Sequence, residues 1–386
     1  MIPNGDANSV QIGGKGGKSV KAAVLYEAKK PLKIEDVEID DPKTNEILIR
    51  LEAVGVCHTD LSFMQGDMPC PMPIVVGHEG CGIVEKVGPG VTSVQPGDKV
   101  ITMVSFSCGK CRYCAEGRPT MCVENLNIMM MAELPFFAGK RLHKGSQYIH
   151  QLFGLGSFAQ YCVVHERSAI KVRKDAPSEV VCLLGCGVTT GLGAAINTAK
   201  VRPGQSVVVY GVGGVGLSAV MGAKLAGAGT IIAVARSKNK LDMAKQLGAD
   251  YVINPSEVPD PAAKVKELTG GAGADVAIEA AGVAAVMQQA FASIHNGGVC
   301  VIAGMAPMVS TITFMPFEFL LGKTLKGTVQ GDIIASVDVP RFVDMYMAGK
   351  LPIDKLISKQ FKLSQVNEAF EALENKEVLR SVIKIT

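Results

Sequence analysis

The sequence has no excess of charge of either sign. Its 39 Lys and Arg stand against 36 Asp and Glu, for a net charge of +3 over 386 residues. So balanced a surface gives no electrostatic footing for nucleic acid or for an anionic membrane. The opening MIPNGDANSVQIGGKGGKSV lacks the apolar stretch of a secretory leader, so a reducing cytoplasm is expected. There is also no uninterrupted apolar run long enough to span a bilayer. The nearest, Ser206 to Ala235, is broken by glycines and by Lys224 and reads as a buried strand–helix–strand unit. GGKGGKS near the start imitates a phosphate loop, but Ile12 holds the first required glycine position and no helix pattern follows. Apolar residues at 48% argue against disorder over most of the chain, and the length allows two domains, each with its own core.

What is present in quantity is cysteine. Eleven cysteines without a secretory leader read as metal ligands and buried thiols. Four of them, Cys108, Cys111, Cys114 and Cys122, stand as C-x2-C-x2-C-x7-C within SCGKCRYCAEGRPTMC. Thiolates so close in sequence can converge on one tetrahedral ion, and four sulfurs with no open position describe a structural zinc. Two disulfides are the rival reading. An iron–sulfur cluster is a weaker one, because the run C-x2-C-x2-C-x3-C-P is absent.

Residues 1–20 are Gly- and Lys-rich and are expected to be flexible. From Lys21 to about Val104 the pattern is short and β-rich, with strands at VKAAVLY, EILIRLEAV, CGIVEKVG and KVITMV and turns at Pro42, Gly88–Gly90 and Pro96–Asp98. A long irregular stretch, about Val123 to Gly156, holds Met129, Met130, Met131 and Pro135; the methionines read as packing. From about Val188 strands and helices alternate: TTGLGAAINTA, SVVVYGVGGVG, TIIAVA, KNKLDMAKQLG, DYVI, DVAIEAAG and GGVCVIAG. That alternation means an α/β, doubly wound parallel sheet. After about Gly331 two amphipathic helices and a last strand, SVIKIT, return to mixed α+β character.

Within VVVYGVGGVGLSAV, Gly211, Gly213 and Gly216 form G-x-G-x-x-G after a buried strand and at the opening of a helix, with Gly214 and Val215 between them. The expected roles are a tight turn at Gly211, backbone approach to a pyrophosphate at Gly213, and close helix–strand packing at Gly216. The helix N-terminus then faces the phosphates. Where an acidic residue would bind free ribose hydroxyls at the end of the second strand, the sequence reads Ala235, Arg236, Ser237, with Lys240 just beyond. A guanidinium in place of a carboxylate favours a 2′-phosphate, hence NADP(H) over NAD(H).

Cys57 in GVCHTD, His78 in VVGHEG and Cys186 in LLGCGV are each ambiguous alone. Together they make the Cys2His set of a catalytic zinc with one open position. GHEGCGIVEKVG, PGDKV, CGKCRYC, GCGVTTGLGAA, GVGGVG and LRSVIKI recur in the order found in one family. Over about residues 21–386 the chain resembles the zinc-dependent alcohol dehydrogenases of the medium-chain dehydrogenase/reductase superfamily, in their longer, liver-type form. The resemblance implies a GroES-like β-rich catalytic domain, residues 21–187 and 331–386, around a Rossmann domain at 188–330. It implies two zincs per chain: Cys57, His78 and Cys186 on the catalytic ion, and Cys108, Cys111, Cys114 and Cys122 on the structural one.

By the same resemblance Asp60 orients His78, Glu79 lies behind the metal, and Thr59 touches the substrate alcohol. His58 and Arg380 reach the cofactor pyrophosphate, and Thr190 lies beside the nicotinamide. Met68, Val104, Leu152 and Phe153 line a substrate channel whose apolar character suits medium-chain or aromatic alcohols, primary or secondary. In one departure from the family pattern, Ser62 stands where liver-type members end their proton relay in histidine. The glutathione-linked formaldehyde branch is disfavoured because Met68 replaces its acid. A non-catalytic zinc- and dinucleotide-binding protein and a zinc hydrolase are two further readings. Intact ligands weigh against the first and GVGGVG against the second. A homodimer or homotetramer is expected, paired through a sheet edge near Val299 to Thr313.

Overall fold

The computed structural model describes residues 17–105, 107–125, 141–307 and 309–385. The expectation of flexibility for residues 1–16 and the Met129–Met131 and Pro135 segment lie outside the described residues. The proposed flexible segment is too long at its C-terminal end. Strand Lys18–Leu25 already runs in register with Lys33–Ile39, and Val20, Ala22 and Val24 point into a core.

Three sheets make the molecule. The first is a small closed barrel of Lys18–Leu25, Lys33–Ile39, Leu142–Lys144, Gln147–Gln151 and Ile74–Val75. Two of these strands, Leu142–Lys144 and Gln147–Gln151, form an antiparallel hairpin inside the stretch read from sequence as irregular, which is therefore partly regular. His143 and Tyr148 pair across it, a local pattern too short to register as periodicity.

The second sheet has seven strands. At its centre Glu46–Val56 pairs with Glu79–Val87, with Tyr161–His165 and with Arg380–Lys384. Its burial pattern is almost continuous, so the strand is covered on both faces and reads as an unbroken apolar run. The C-terminal strands Ile357–Lys362 and Arg380–Lys384 thus join the N-terminal half of the chain; the first of them was not anticipated.

The third sheet is parallel throughout, in the order Tyr251–Ile253, Thr230–Val234, Ser206–Tyr210, Ala274–Glu279, Ile294–Ile302, Thr324–Gly327. The region Ser206–Ala235 is the buried strand–helix–strand unit expected, and among the described residues no single helix is long and apolar enough to cross a membrane. The segment expected at a pairing edge, near Val299 to Thr313, begins inside strand Ile294–Ile302, which is bonded on both sides; the outermost strand on that side is Thr324–Gly327.

Candidate active site

Strand Glu46–Val56 ends at Cys57, which is the N-cap of helix His58–Gln65. The chain therefore delivers a thiol, then His58, Thr59 and Asp60 in the first turn, at the positive end of a helix. His78 and Glu79 arrive at the start of the neighbouring strand, and Cys186 from the irregular turn between a short 3-10 segment and helix Gly187–Gly193. One ligand atom from each of Cys57, His78, Glu79 and Cys186 lies within 4.8 Å of every other.

The imidazole is fully buried. Its Nδ1 stands 2.9 Å from Oδ1 of Asp60, which also accepts the Gly77 N–H at 2.9 Å. That contact orients the ring and leaves Nε2, which has no hydrogen-bond partner, for the cluster. A buried ring nitrogen left unpaired beside two thiols fits a zinc ligand set and little else. Burial alone would lower the His78 pKa, but the Asp60 carboxylate drives it well up. Sharing a hydrogen bond with Cys186 pulls the Cys57 thiol well below its ordinary range and pushes Cys186 up, so the two sulfurs compete for one proton that a cation would displace.

Glu79 brings a carboxylate oxygen to the cluster, yet both of its oxygens are already engaged. Its Oε1 accepts the Gly187 N–H at 2.9 Å, and its other oxygen pairs with the Arg380 guanidinium. Burial raises its pKa to about 7 against the pull of Arg380. Arg380, 4% exposed, also lies against Gly214, where an added Cβ would stand 2.5 Å from its Cδ. It thus touches both the acid behind the cluster and the first turn of the glycine helix, while its buried Nε has no partner.

That helix, Gly214–Leu225, has Gly213 as N-cap and no side-chain cap, so its first amides remain free to receive an anion. Gly211 has φ +85, and a Cβ there would meet Ala281 at 2.7 Å. At Gly216 a Cβ would strike the Gly211 carbonyl at 1.8 Å, but at Gly213 it would meet nothing within 4 Å. Two glycines serve packing and one faces open space, a cradle that fits a dinucleotide pyrophosphate. Glu279, which sequence reasoning missed, shapes the facing turn: its buried carboxylate accepts the Ala281 and Gly282 N–H groups, each at 2.8 Å.

Beyond the second strand Ala235 is half-buried, and Arg236 and Ser237 are exposed. Ser237 caps helix Lys238–Leu247 by position, but its hydroxyl makes no capping bond. Burial and the charge of Lys376 lower the Lys240 pKa; burial lowers that of His58, as do the charges of Arg380, Lys240 and Lys376. Lys376 was not foreseen. It follows helix Val366–Glu374 in a left-handed conformation, φ +62, where glycine is the usual residue. Mutually repelling cations gathered at this end of the sheet are what an anionic ligand offsets.

Phe153, with φ +54, packs edge-to-face on His78 and on Phe63, each at a ring-centroid distance of 5.5 Å. Leu152 is fully buried, while Met68 and Val104 are half-buried against the same core. Thr59 Oγ1 lies 3.7 Å from the Cys57 sulfur, and Ser62 is one turn further along the same helix. Thr190 spends its hydroxyl on the Cys186 carbonyl at 2.9 Å.

The second cysteine cluster brings one sulfur each from Cys108, Cys111, Cys114 and Cys122 within 4.8 Å of one another. Sulfur separations of 3.5 Å for Cys111–Cys114 and 3.9 Å for Cys108–Cys114 match the edge of a tetrahedron with bonds of about 2.3 Å, roughly 3.8 Å. They are far too long for disulfides, and all eleven cysteines are free, so the disulfide reading falls. Backbone N–H groups of Cys108 and Cys111 donate to the Cys122 and Cys108 sulfurs at 3.3 and 3.2 Å, while burial pushes the Cys122 thiol up to about 12. Hydrogen bonds from the backbone around Cys114 and Val123 lower Cys111 to about 6.

A GroES-like sheet with a metal-type cluster, set against a Rossmann-like sheet with a glycine turn, defines a zinc- and nicotinamide-dependent oxidoreductase class. Comparison with known proteins agrees. Residues 43–174 match the alcohol dehydrogenase GroES-like domain, and residues 214–347 the zinc-binding dehydrogenase family. An alcohol dehydrogenase zinc-binding domain protein from Burkholderia ambifaria is 36% identical, with 96% of this chain and 100% of that chain covered and a TM-score of 0.92. Benzyl alcohol dehydrogenase from Acinetobacter calcoaceticus is also 36% identical, with the same coverage and a TM-score of 0.90. A protein described as a zinc-binding dehydrogenase from Sinorhizobium meliloti, solved bound to NADP, is 26% identical, with 95% and 99% covered and a TM-score of 0.79. The chain belongs to the zinc-dependent alcohol dehydrogenases of the medium-chain dehydrogenase/reductase superfamily.

Proposed function

We propose that this chain is an alcohol dehydrogenase with two zincs that interconverts medium-chain or aromatic alcohols with their aldehydes or ketones and prefers NADP(H). The observation that carries the reading is Arg380, which bridges Glu79 behind the Cys57–His78–Cys186 cluster and Gly214 in the dinucleotide turn, so that metal and cofactor would share one cleft. A zinc held by those three residues would supply Lewis acidity toward a substrate oxygen, and the nicotinamide a two-electron carrier. The protein's part is to hold and shape. Asp60 fixes the His78 ring, and the Thr59 hydroxyl would orient the substrate hydroxyl, accept its proton and pass its own on toward the cofactor ribose. Leu152, Phe153, Met68 and Val104 present an apolar wall that would exclude water. The likeness to a benzyl alcohol dehydrogenase supports aromatic substrates. Strand pairing supports a catalytic unit of 21–187 with 331–386 around a cofactor unit of 188–330.

Initial rates with primary, secondary and aromatic alcohols, and with the matching carbonyls, should be highest on uncharged medium-chain or aromatic members. Protein carrying two zincs per chain that turns over none of them with either nucleotide would overturn this function.

The chain should also associate with itself. Thr324–Gly327 is a free edge, and close before it in sequence stand exposed Met315, Phe317 and Leu320, the last 81% exposed. An unpaired edge beside an apolar patch is best covered by its own two-fold copy. Sedimentation should give a dimer or tetramer at micromolar concentration, and Leu320→Glu with Phe317→Glu should shift it toward monomer. A wild-type monomer would contradict the proposal.

A further inference from the structure

The turn after strand Thr324–Gly327 is made of three successive left-handed residues, Gln330 (φ +50), Gly331 (φ +69) and Asp332 (φ +50). Two of them are not glycine, a costly run that neighbouring contacts must hold in place. They do. Gly331 is wedged against helix Gly187–Gly193, where an added Cβ would lie 2.5 Å from the Thr189 carbonyl. Asp332 accepts the Thr198 hydroxyl at 2.8 Å, and the Gly331 carbonyl accepts Asn197 Nδ2 at 3.3 Å.

So held, the Gln330 side chain is directed inward and is 7% exposed. Its Nε2 donates to the Gly185 carbonyl at 2.7 Å, and its Oε1 accepts the Ser105 hydroxyl. Gly185 immediately precedes Cys186, and Ser105 stands between Val104 and the cysteine loop beginning at Cys108. One amide therefore ties the exit of the cofactor sheet to the peptide that carries a cluster thiol.

We propose that Gln330 is a positioning residue for Cys186: by pinning the Gly185 carbonyl it sets where the Cys186 sulfur stands, and so how firmly the cluster grips its ion. The role rests on the zinc reading of Cys57, His78 and Cys186. It requires both faces of a primary amide, donor and acceptor. A carboxylate of the same shape keeps the acceptor for Ser105 but turns an oxygen on the Gly185 carbonyl.

The test uses the zinc-loaded full chain and follows metal release to a chromogenic chelator, with the phases of the two sites assigned by Cys57→Ala and Cys111→Ala. In Gln330→Glu and Gln330→Met, release from the Cys57–His78–Cys186 site should quicken about 10–100-fold, the range for lost partners of metal ligands. Release from the four-cysteine site should stay as in wild type. Unchanged release, or equal acceleration at both sites, would overturn the proposal by showing that Gln330 only helps the fold cohere. If neither variant folds, Ser105→Ala deletes only the hydroxyl that orients the amide. It should quicken release from the first site alone by about three- to fivefold, and unchanged or unselective release would overturn the proposal equally. Wild-type protein with fewer than two zincs would instead sink the zinc reading itself.

Discussion

Cys57→Ala should abolish turnover while leaving the fold near intact, and Cys111→Ala should do the reverse in kind, lowering thermal stability or assembly. The difference follows from where each sulfur stands. Cys57 ends a strand of the seven-stranded sheet and caps a helix whose Phe63 and Met64 are buried in the core without help from the thiol. Removing its sulfur leaves His78 and Cys186, with the Glu79 carboxylate already held by Gly187 and Arg380, too few free ligands to hold an ion with one open position. Cys111 belongs to a loop with almost no apolar core: its cluster is the four cysteines themselves, and its two helical turns span only Arg112–Ala115 and Pro119–Met121. For such a segment, metal binding and folding free energy are one quantity. A loss of about 3–5 kcal/mol there would lower Tm by roughly 10 °C. Elemental analysis and thermal scans of both variants decide the matter. Full activity in wild-type protein holding fewer than two zincs would remove the basis for both.

Ala235→Asp should move cofactor preference toward NAD(H) by about ten- to a hundredfold in kcat/KM ratio. A carboxylate there would repel a 2′-phosphate and accept a bond from a 2′-hydroxyl, and Ala235 does neither. Arg236 offers planar paired donors, exposed at the end of the strand; Ser237 makes no capping bond with its hydroxyl, and Lys240 and Lys376 raise the local potential. One charge-assisted bond contributes roughly 1.5–3 kcal/mol, which sets the size of the expected change. Much higher wild-type efficiency with NAD(H) would show that Arg236 turns to solvent, and would leave the zinc sites and fold as they are.

How much was legible in advance depended on how far apart the partners lie. The cysteine loop and the glycine turn were readable because their parts are near neighbours: short spacers leave few ways for four sulfurs, or a strand, a turn and a helix, to be arranged. Cys57, His78 and Cys186 carry no such local signal, and only resemblance to a family joined them. Phe153 over the His78 ring was foreseen as a pocket wall, but not as a residue with positive φ, since nothing in LFG marks it. The hairpin at 142–151 escaped because its strands of three and five residues are too short to show a period.

By itself, then, the chain's order of residues determined the parallel α/β sheet, the β-rich character of residues 21–104, the close-spaced four-cysteine set and the phosphate-type turn, since these follow from local spacing, backbone permissiveness and the period of apolar side chains. Tertiary packing alone decided the rest. It brought Arg380 from the last strand onto Glu79 and Gly214, aimed Gln330 at the peptide before Cys186, added Lys376 to the cations around Lys240, and paired the strand of Val299 on both sides while leaving Thr324–Gly327 as the open edge. Each of these joins segments far apart in sequence. Which of them meet is set by how the sheets close and stack, a balance of burial and hydrogen bonding over the whole molecule that no short window of residues contains.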